Sequence, residues 1–250
     1  MLAVCYDLSD EKLAETLDDR ASFRRFCGFS GAEPTPERTA FVRFRKALTT
    51  RWLDRALFDD VTARLKAEAV RVKIGTLVDA TIIASASKGD EEAQWIEHER
   101  KPAVHGFKTH VGADADTALV EEVAVTAANV HDGKAGGDAP PDSPGQVFAD
   151  SACRGETFRA AVRAKGGTPR IVATHMWGRD EEETPARFDA WNQPIHRIRG
   201  RIEMIFGTWK RSYGHRRIRR LGLAKASLQI RLTAIAYNMR RTLSILAAAA

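Results

Sequence analysis

The sequence predicts an α/β fold, with an N-terminal helical region followed by a five-stranded sheet flanked by helices. Three observations predict it. The segment up to about Val70 carries helical apolar spacing and helix caps. At Gly75 the texture turns β-rich, and strand-like runs follow one another with a tight turn between two of them. From Gln146 onward, strand-like and helix-like segments alternate.

Leu8-Ser9-Asp10 offers caps ahead of EKLAETL, so a helix begins there. Ser22–Phe26 is aromatic and basic, and Pro34 to Pro36 marks a turn. Thr39-Ala40-Phe41-Val42 opens a helix with basic residues on one side. Leu53 to Val70 holds another, with Leu53, Leu57, Val61 and Leu65 near a helical period. Thr76–Ala84 is short, apolar and β-rich, a buried strand. The charged stretch Lys88 to Lys101 reads as a surface loop. Val104–Ala113 is the second strand and Ala118–Thr126 the third, and a turn at Asp114 to Thr117 makes them a hairpin. His131 to Gly145 is rich in Gly, Pro and Asp, and holds no regular helix across Pro140, Pro141 and Pro144. Gln146–Ala149 is the fourth strand and ends at Asp150. Ser151–Ala164 reads as a helix stopped by Gly166-Gly167, and Pro169–Ala173 as the fifth strand. Asp180 to Thr184 reads as an acidic loop. Helices are expected from about Ile195 to Arg211 and from Leu223 to Leu246. The expected organisation is a helical region at 1–70 and a second domain at 71–246.

The composition, 44% hydrophobic and 29% charged, suits a globular core. No apolar run approaches a membrane span, and the longest candidate is broken by Arg240 and Arg241. The opening MLAVCYDLSDEK shows no basic start or cleavage site, so no signal peptide is expected. Cys5, Cys27 and Cys153 lack metal-ligand spacing and read as reduced thiols of a cytoplasmic protein. Net charge is +6 and unevenly spread. From Ile195 to Ala250 there are thirteen Lys or Arg and one acid, Glu203, hence +12; the rest holds 26 basic and 32 acidic residues, hence −6. A basic tail on an acidic body points to a polyanionic partner, nucleic acid above all.

Three acids stand out by context. Asp79 lies inside the apolar run LVDATII, where an uncompensated charge is costly. Asp150 ends a strand. Glu203 is the lone acid of the basic tail. Singly, each has an ordinary explanation as a turn former, a cap or an ion-pair partner. Together, carboxylates from two strands and one helix repel one another unless divalent cations such as Mg²⁺ bind there. His196, Arg199, Glu203 and Lys210 share one helical face, with Ile195, Ile198, Ile202, Ile205 and Trp209 about one position around from it. That helix can pack on a sheet while aiming an acid at metal and cations at phosphate.

At this point the chain resembles a known family. The stretches LSDEKLAETLDDRASFRRFCGFS, TLVDATIIASASK, HGFKTHVGADADTALVEEVAVTAANVHD and VFADSACRGE carry the resemblance, together with the segment that starts at HRIRGRIEMIFGTWKRSYGHRRIRRLGL and runs to MRRTL. Together they cover most of the chain. They resemble bacterial insertion-sequence transposases of the DDE type, in the type-five group of the wider type-four superfamily. The resemblance implies an RNase H-like fold, a mixed five-stranded sheet in which the first and fourth strands are neighbours. It implies that Asp79, Asp150 and Glu203 form the catalytic triad and hold two metal ions, Mg²⁺ with Mn²⁺ as a substitute. It implies DNA contacts from His196, Arg199, Lys210 and Arg211, with His196 standing where the family has Tyr. The implied reaction is metal-dependent cleavage at the element's terminal inverted repeats and strand transfer into target DNA. The implied partners are double-stranded DNA and a second copy of the chain, with no membrane and no organic cofactor, in the bacterial cytoplasm at the nucleoid.

Three departures accompany the resemblance. MLAVCYDLSD aligns with an internal part of the family's N-terminal region. HDGKAGGDAPPDSPG stands where relatives have a helix, so that face of the sheet is expected to be poorly covered. Cys153 stands where relatives often carry Tyr. A second reading follows: a decayed or truncated remnant that binds DNA without cutting it. His105, His110 and His131 read as strand or turn residues with no zinc spacing, and Asp114, Asp116 and Asp132 as turn residues.

Overall fold

The computed structural model describes residues 1–69, 73–98, 101–177 and 183–249. The expected domain boundary at 70/71 and residues 180–182 of the expected acidic loop lie outside them. Five helices come first: α1 (Leu2–Cys5), α2 (Asp10–Asp19), α3 (Ala21–Cys27), α4 (Arg38–Thr50) and α5 (Leu53–Ala69). Ser9 caps α2, its side chain accepting from the Lys12 N–H at 3.2 Å. Leu13, Leu17 and Phe23 form a small apolar cluster among these helices.

The sheet follows: β1 (Gly75–Ala84), β2 (Gln94–His98), β3 (Lys101–Asp114), β4 (Val120–Ala127), β5 (Gln146–Ala149) and β6 (Thr168–Ile171). Its order is β2-β3-β1-β5-β6, with β4 also paired to β3. β1 is antiparallel to β3 and parallel to β5, and β5 is parallel to β6. This mixed sheet flanked by helices is RNase H-like, and the five expected strands are all present.

The sixth strand, β2, corrects the loop expected over Lys88–Lys101. Gln94, Trp95 and Glu97 are exposed, so β2 has no apolar alternation to betray it. Backbone pairing to the long β3 holds it in place, Gln94 opposite Gly106 and Ile96 opposite Val104.

Period-two alternation divides the core. Leu77, Ile83, Phe107 and Val111 point to one face, against Phe58 of α5 and the two long C-terminal helices, α8 (Glu183–Ser212) and α9 (Leu223–Ala249). Val78, Val147 and Ala149 point to the other, against Phe158 and Val162 of α7 (Glu156–Ala164). That second face is covered, contrary to expectation. The segment before the prolines folds as α6 (Asp132–Ala135) and a 3₁₀ turn at Gly136–Asp138. Ala135 and Ala139 are buried, and a Cβ at Gly112 of β3 would run into the Ala139 carbonyl oxygen.

Two helix boundaries also differ. Ser151–Ala164 divides into a 3₁₀ turn at Ser151–Cys153 and α7, because Gly155 provides the N-cap where a continuous helix was expected. α8 begins at Glu183 and runs through Pro194 rather than starting at Ile195. Tertiary bonds hold its first turns: Trp191 Nε1 donates to the Ile171 carbonyl at 3.0 Å, and Asn192 bonds both the N–H and the C=O of Ala173. Among the described residues, no helix is long and apolar enough to cross a membrane.

Candidate active site

β1 and β5 run parallel with Leu77 paired to Phe148. Asp79 and Asp150 stand two residues further along each chain, so the register carries both acids to the same level on one face, at the end of β5 in the interior of the sheet. Asp79 shares the face of Leu77, the face that α8 covers. Ile195, Ile202, Ile205 and Trp209 of α8 are buried against that face and Ile198 packs beside them, the stripe expected from the sequence.

This docking aims Arg199 at the acids. Its Nη2 donates to Asp79 Oδ2 at 3.2 Å, and its Nη1 lies 3.4 Å from Asp150 Oδ1. Side-chain exposure rises outward, from 14% for Arg199 through 24% for Asp79 to 47% for Asp150. The Ala80 N–H donates to Asp79 Oδ1 at 2.8 Å, and the Ser151 N–H to Asp150 Oδ1 at 2.6 Å. Burial pushes the Asp79 carboxyl above its ordinary value, against the pull of Arg199 and the Ala80 N–H, and the Asp150 charge adds to the rise.

The structure thus brings Asp79, Asp150 and Arg199 together. Glu203 is one helical turn beyond Arg199 on α8 and is exposed. Among the described residues, no group of three or more His, Cys, Asp or Glu is placed to hold a metal. His196 and Arg211 are exposed, and Lys210 is half-buried.

A buried polar set lies on the other face of the sheet, and one member, Lys108, is not singled out by the sequence reading. Lys108 and His110 alternate with Phe107 and Val111 along β3, and both are buried on the opposite face. Lys108 Nζ donates to the Val130 carbonyl at 2.7 Å and lies 2.9 Å from Asp132 Oδ1. His110 Nε2 is 3.3 Å from Thr126 Oγ1, and burial pushes its pKa down to about 4. The buried Cys153 thiol is pushed up to about 12 by burial and then by the charges of Asp132, Asp79 and Asp150. The signal available was the polar pair at period two within an apolar strand. His131 caps α6, its Nδ1 accepting from the Gly133 N–H, and Asp114 closes its turn by accepting from Thr117.

Much of the basic tail is engaged within the protein. Arg219 pairs with Asp7, Arg220 with Asp10, Arg231 with Asp54 and Arg201 with Asp116. Arg217 donates to the Ser85 and Ala86 carbonyls, and Arg241 to that of Thr117. Arg197, Arg211, Arg216 and Lys225 face solvent. A cleft of about 400 Å³ opens past the end of β6, lined by Arg154, Arg159, Thr174, His175 and Trp191 among others.

A family model described as Transposase DDE domain matches residues 71–239, a span that contains the paired acids, Arg199 and Glu203. The chain belongs to the DDE transposase family. A second model, described as Transposase domain (DUF772), matches residues 1–47, covering α1 to α3 and most of α4. No solved structure matches the chain. It is a DDE-type insertion-sequence transposase, in which the sheet and α8 belong to one matched span and the first helices to the other. As a transposase it acts on DNA, and its DDE domain is of the kind found in metal-dependent DNA-cutting enzymes.

Proposed function

We propose that this transposase cuts DNA at the terminal inverted repeats of an insertion sequence and joins the freed 3′ ends to target DNA. The observation that supports this most is the convergence of Asp79 and Asp150 on one cationic group. Two carboxylates that already share a cation offer the hard oxygen donors that divalent ions take, so the donor set fits Mg²⁺ or Mn²⁺. In this reading Asp79, Asp150 and Glu203 hold two ions, with Glu203 contributed by side-chain movement from the next turn of α8. When bound, the ions supply the charge that activates the attacking oxygen and stabilises the leaving one.

The remaining roles belong to the protein. β1 and β5 fix the two Asp side chains, and positioning carries most of the barrier reduction in phosphoryl transfer. His196, Arg199, Lys210 and Arg211 of α8 receive DNA phosphates, and Arg154 and Arg159 line a cleft that could take a further one. Hydrolysis forms a bond from water oxygen to phosphorus and breaks the bond to the 3′ oxygen, which leaves as a hydroxyl. That hydroxyl then attacks a target phosphodiester, giving up its proton to water, and the displaced target 3′ oxygen leaves as a hydroxyl by taking a proton from water. Residues 1–70 act in DNA binding and pairing of two copies, and residues 71–246 in catalysis.

Incubation with Mg²⁺ or Mn²⁺ and duplexes carrying the flanking repeats tests the proposal: cutting at the repeat ends is expected. The exposed Glu203 and the Arg199 contact favour a second reading, a remnant that binds without cutting. Binding without cleavage in the same assay would select that reading, and unspecific nicking would point to a general nuclease.

A further inference from the structure

Arg199 lies where its charge answers both acids at once. One nitrogen reaches each carboxylate, at 3.2 and 3.4 Å, in place of the two parallel bonds that a guanidinium makes to a single acid. Both contacts exceed the roughly 2.7–2.9 Å of a strong charge-assisted hydrogen bond. The Arg199 Nε is buried with no hydrogen-bond partner, so the side chain is not locked in place through its full donor set. A guanidinium between two carboxylates occupies the electrostatic position of a divalent ion, and the two cannot be accommodated there together without mutual repulsion.

We infer that in the DNA-free transposase Arg199 plugs the cation site at Asp79 and Asp150, and that DNA opens it by drawing the guanidinium onto a phosphate. The inference rests on the reading that these acids are metal ligands. A phosphate oxygen pair matches the guanidinium fork better than two divergent carboxylates do, so DNA offers Arg199 the stronger partner. Once it moves, the acids are left with uncompensated charge and take up metal. DNA and metal therefore bind cooperatively, and each raises the affinity of the other by the same factor. The cutting centre stays unloaded until a phosphodiester backbone is seated beside it.

The experiment measures Mn²⁺ binding to the full chain by electron paramagnetic resonance, with and without a duplex oligonucleotide, in wild type, Arg199→Gln and the double variant Arg199→Gln/Asp79→Asn. Without DNA, Arg199→Gln is expected to bind Mn²⁺ about tenfold more tightly than wild type, within the usual span of coupling between linked sites. Duplex DNA should tighten Mn²⁺ binding to wild type by a similar factor and leave Arg199→Gln nearly unchanged. Equal or weaker Mn²⁺ binding by folded Arg199→Gln overturns the inference. If that variant does not fold, the wild type decides alone, since a Mn²⁺ affinity that DNA leaves unchanged is equally fatal. The double variant should lose the Mn²⁺ site. If it keeps it, the ion lies elsewhere and the assignment of the ligands fails, a separate outcome from failure of the plug.

Discussion

Asp79 and Glu203 differ most in how their surroundings treat a carboxylate. Asp79 is held by the Ala80 N–H and Arg199 inside the fold, whereas Glu203 projects from α8 into solvent. Removing the Glu203 charge should therefore leave the fold and the cations proposed to hold phosphate in place. Glu203→Gln is expected to bind repeat-end duplexes nearly as wild type does in a gel-shift assay while losing Mg²⁺-dependent cleavage. Undiminished cleavage by that variant would remove Glu203 from the site. The cysteines allow a second test at this scale. Cys153 is buried with its thiol held protonated, whereas Cys5 and Cys27 are exposed. A chromogenic disulfide reagent should modify Cys5 and Cys27 readily in the native protein and Cys153 only after denaturant is added. Prompt reaction of all three would show that the wall of α7 opens easily. The sequence marked Asp79 because an acid within LVDATII contradicts its surroundings. It did not mark Lys108, and it showed His110 only as a strand residue, because their partners Asp132 and Thr126 arrive from other segments.

The short segment between β4 and β5 shows how an element can be stable with little regular structure. α6 and the following 3₁₀ turn stop before the prolines, yet Ala139 is sealed against β3 because Gly112 leaves room for its carbonyl. Gly112→Ala should force that contact apart and destabilise the protein by about 1–3 kcal/mol, the usual cost of overpacking. Urea denaturation measures it, and an unchanged midpoint would mean that the segment is not seated on the sheet. The same segment was illegible as cover from sequence, because its prolines and glycines signal irregular backbone and say nothing of where that backbone lies. β2 escaped notice because its side chains are largely exposed. The early start of α8 was hidden by Pro194, a residue that usually ends helices; here Trp191 and Asn192 fasten the preceding turns to the end of β6. The strands rich in buried apolar residues, β1, β3 and β5, were legible because burial on both faces leaves its mark in composition.

Across the whole molecule the basic tail divides into paired and solvent-facing residues. Arg220 and Arg219 hold Asp10 and Asp7, whereas Arg211 and Arg216 face solvent. Replacing Arg211 or Arg216 by Ala should weaken DNA binding and reduce its salt slope by about one each. Arg220→Ala should instead lower the melting temperature with little change in that slope, and the reverse pattern would contradict the partition. Acid should loosen the whole fold. Burial pushes His215 down to about 3 and His110 to about 4, both from 6.5. Below pH 6.5 the unfolded chain takes up protons that the native state refuses, so stability present at neutral pH is lost on acidification. Each histidine contributes a fall of up to about 1.4 kcal/mol per pH unit. Chemical unfolding between pH 7 and 5 should show that slope, and a His215→Gln variant a shallower one. The pairs Arg219–Asp7 and Arg220–Asp10 also join segments more than two hundred positions apart. On a ribosome the opening helices emerge long before the arginines that clasp them and before α9, which closes over Phe58. Domains tend to fold from the N-terminus as they are made; here Asp7 and Asp10 gain their partners only once Arg219 and Arg220 have been synthesised.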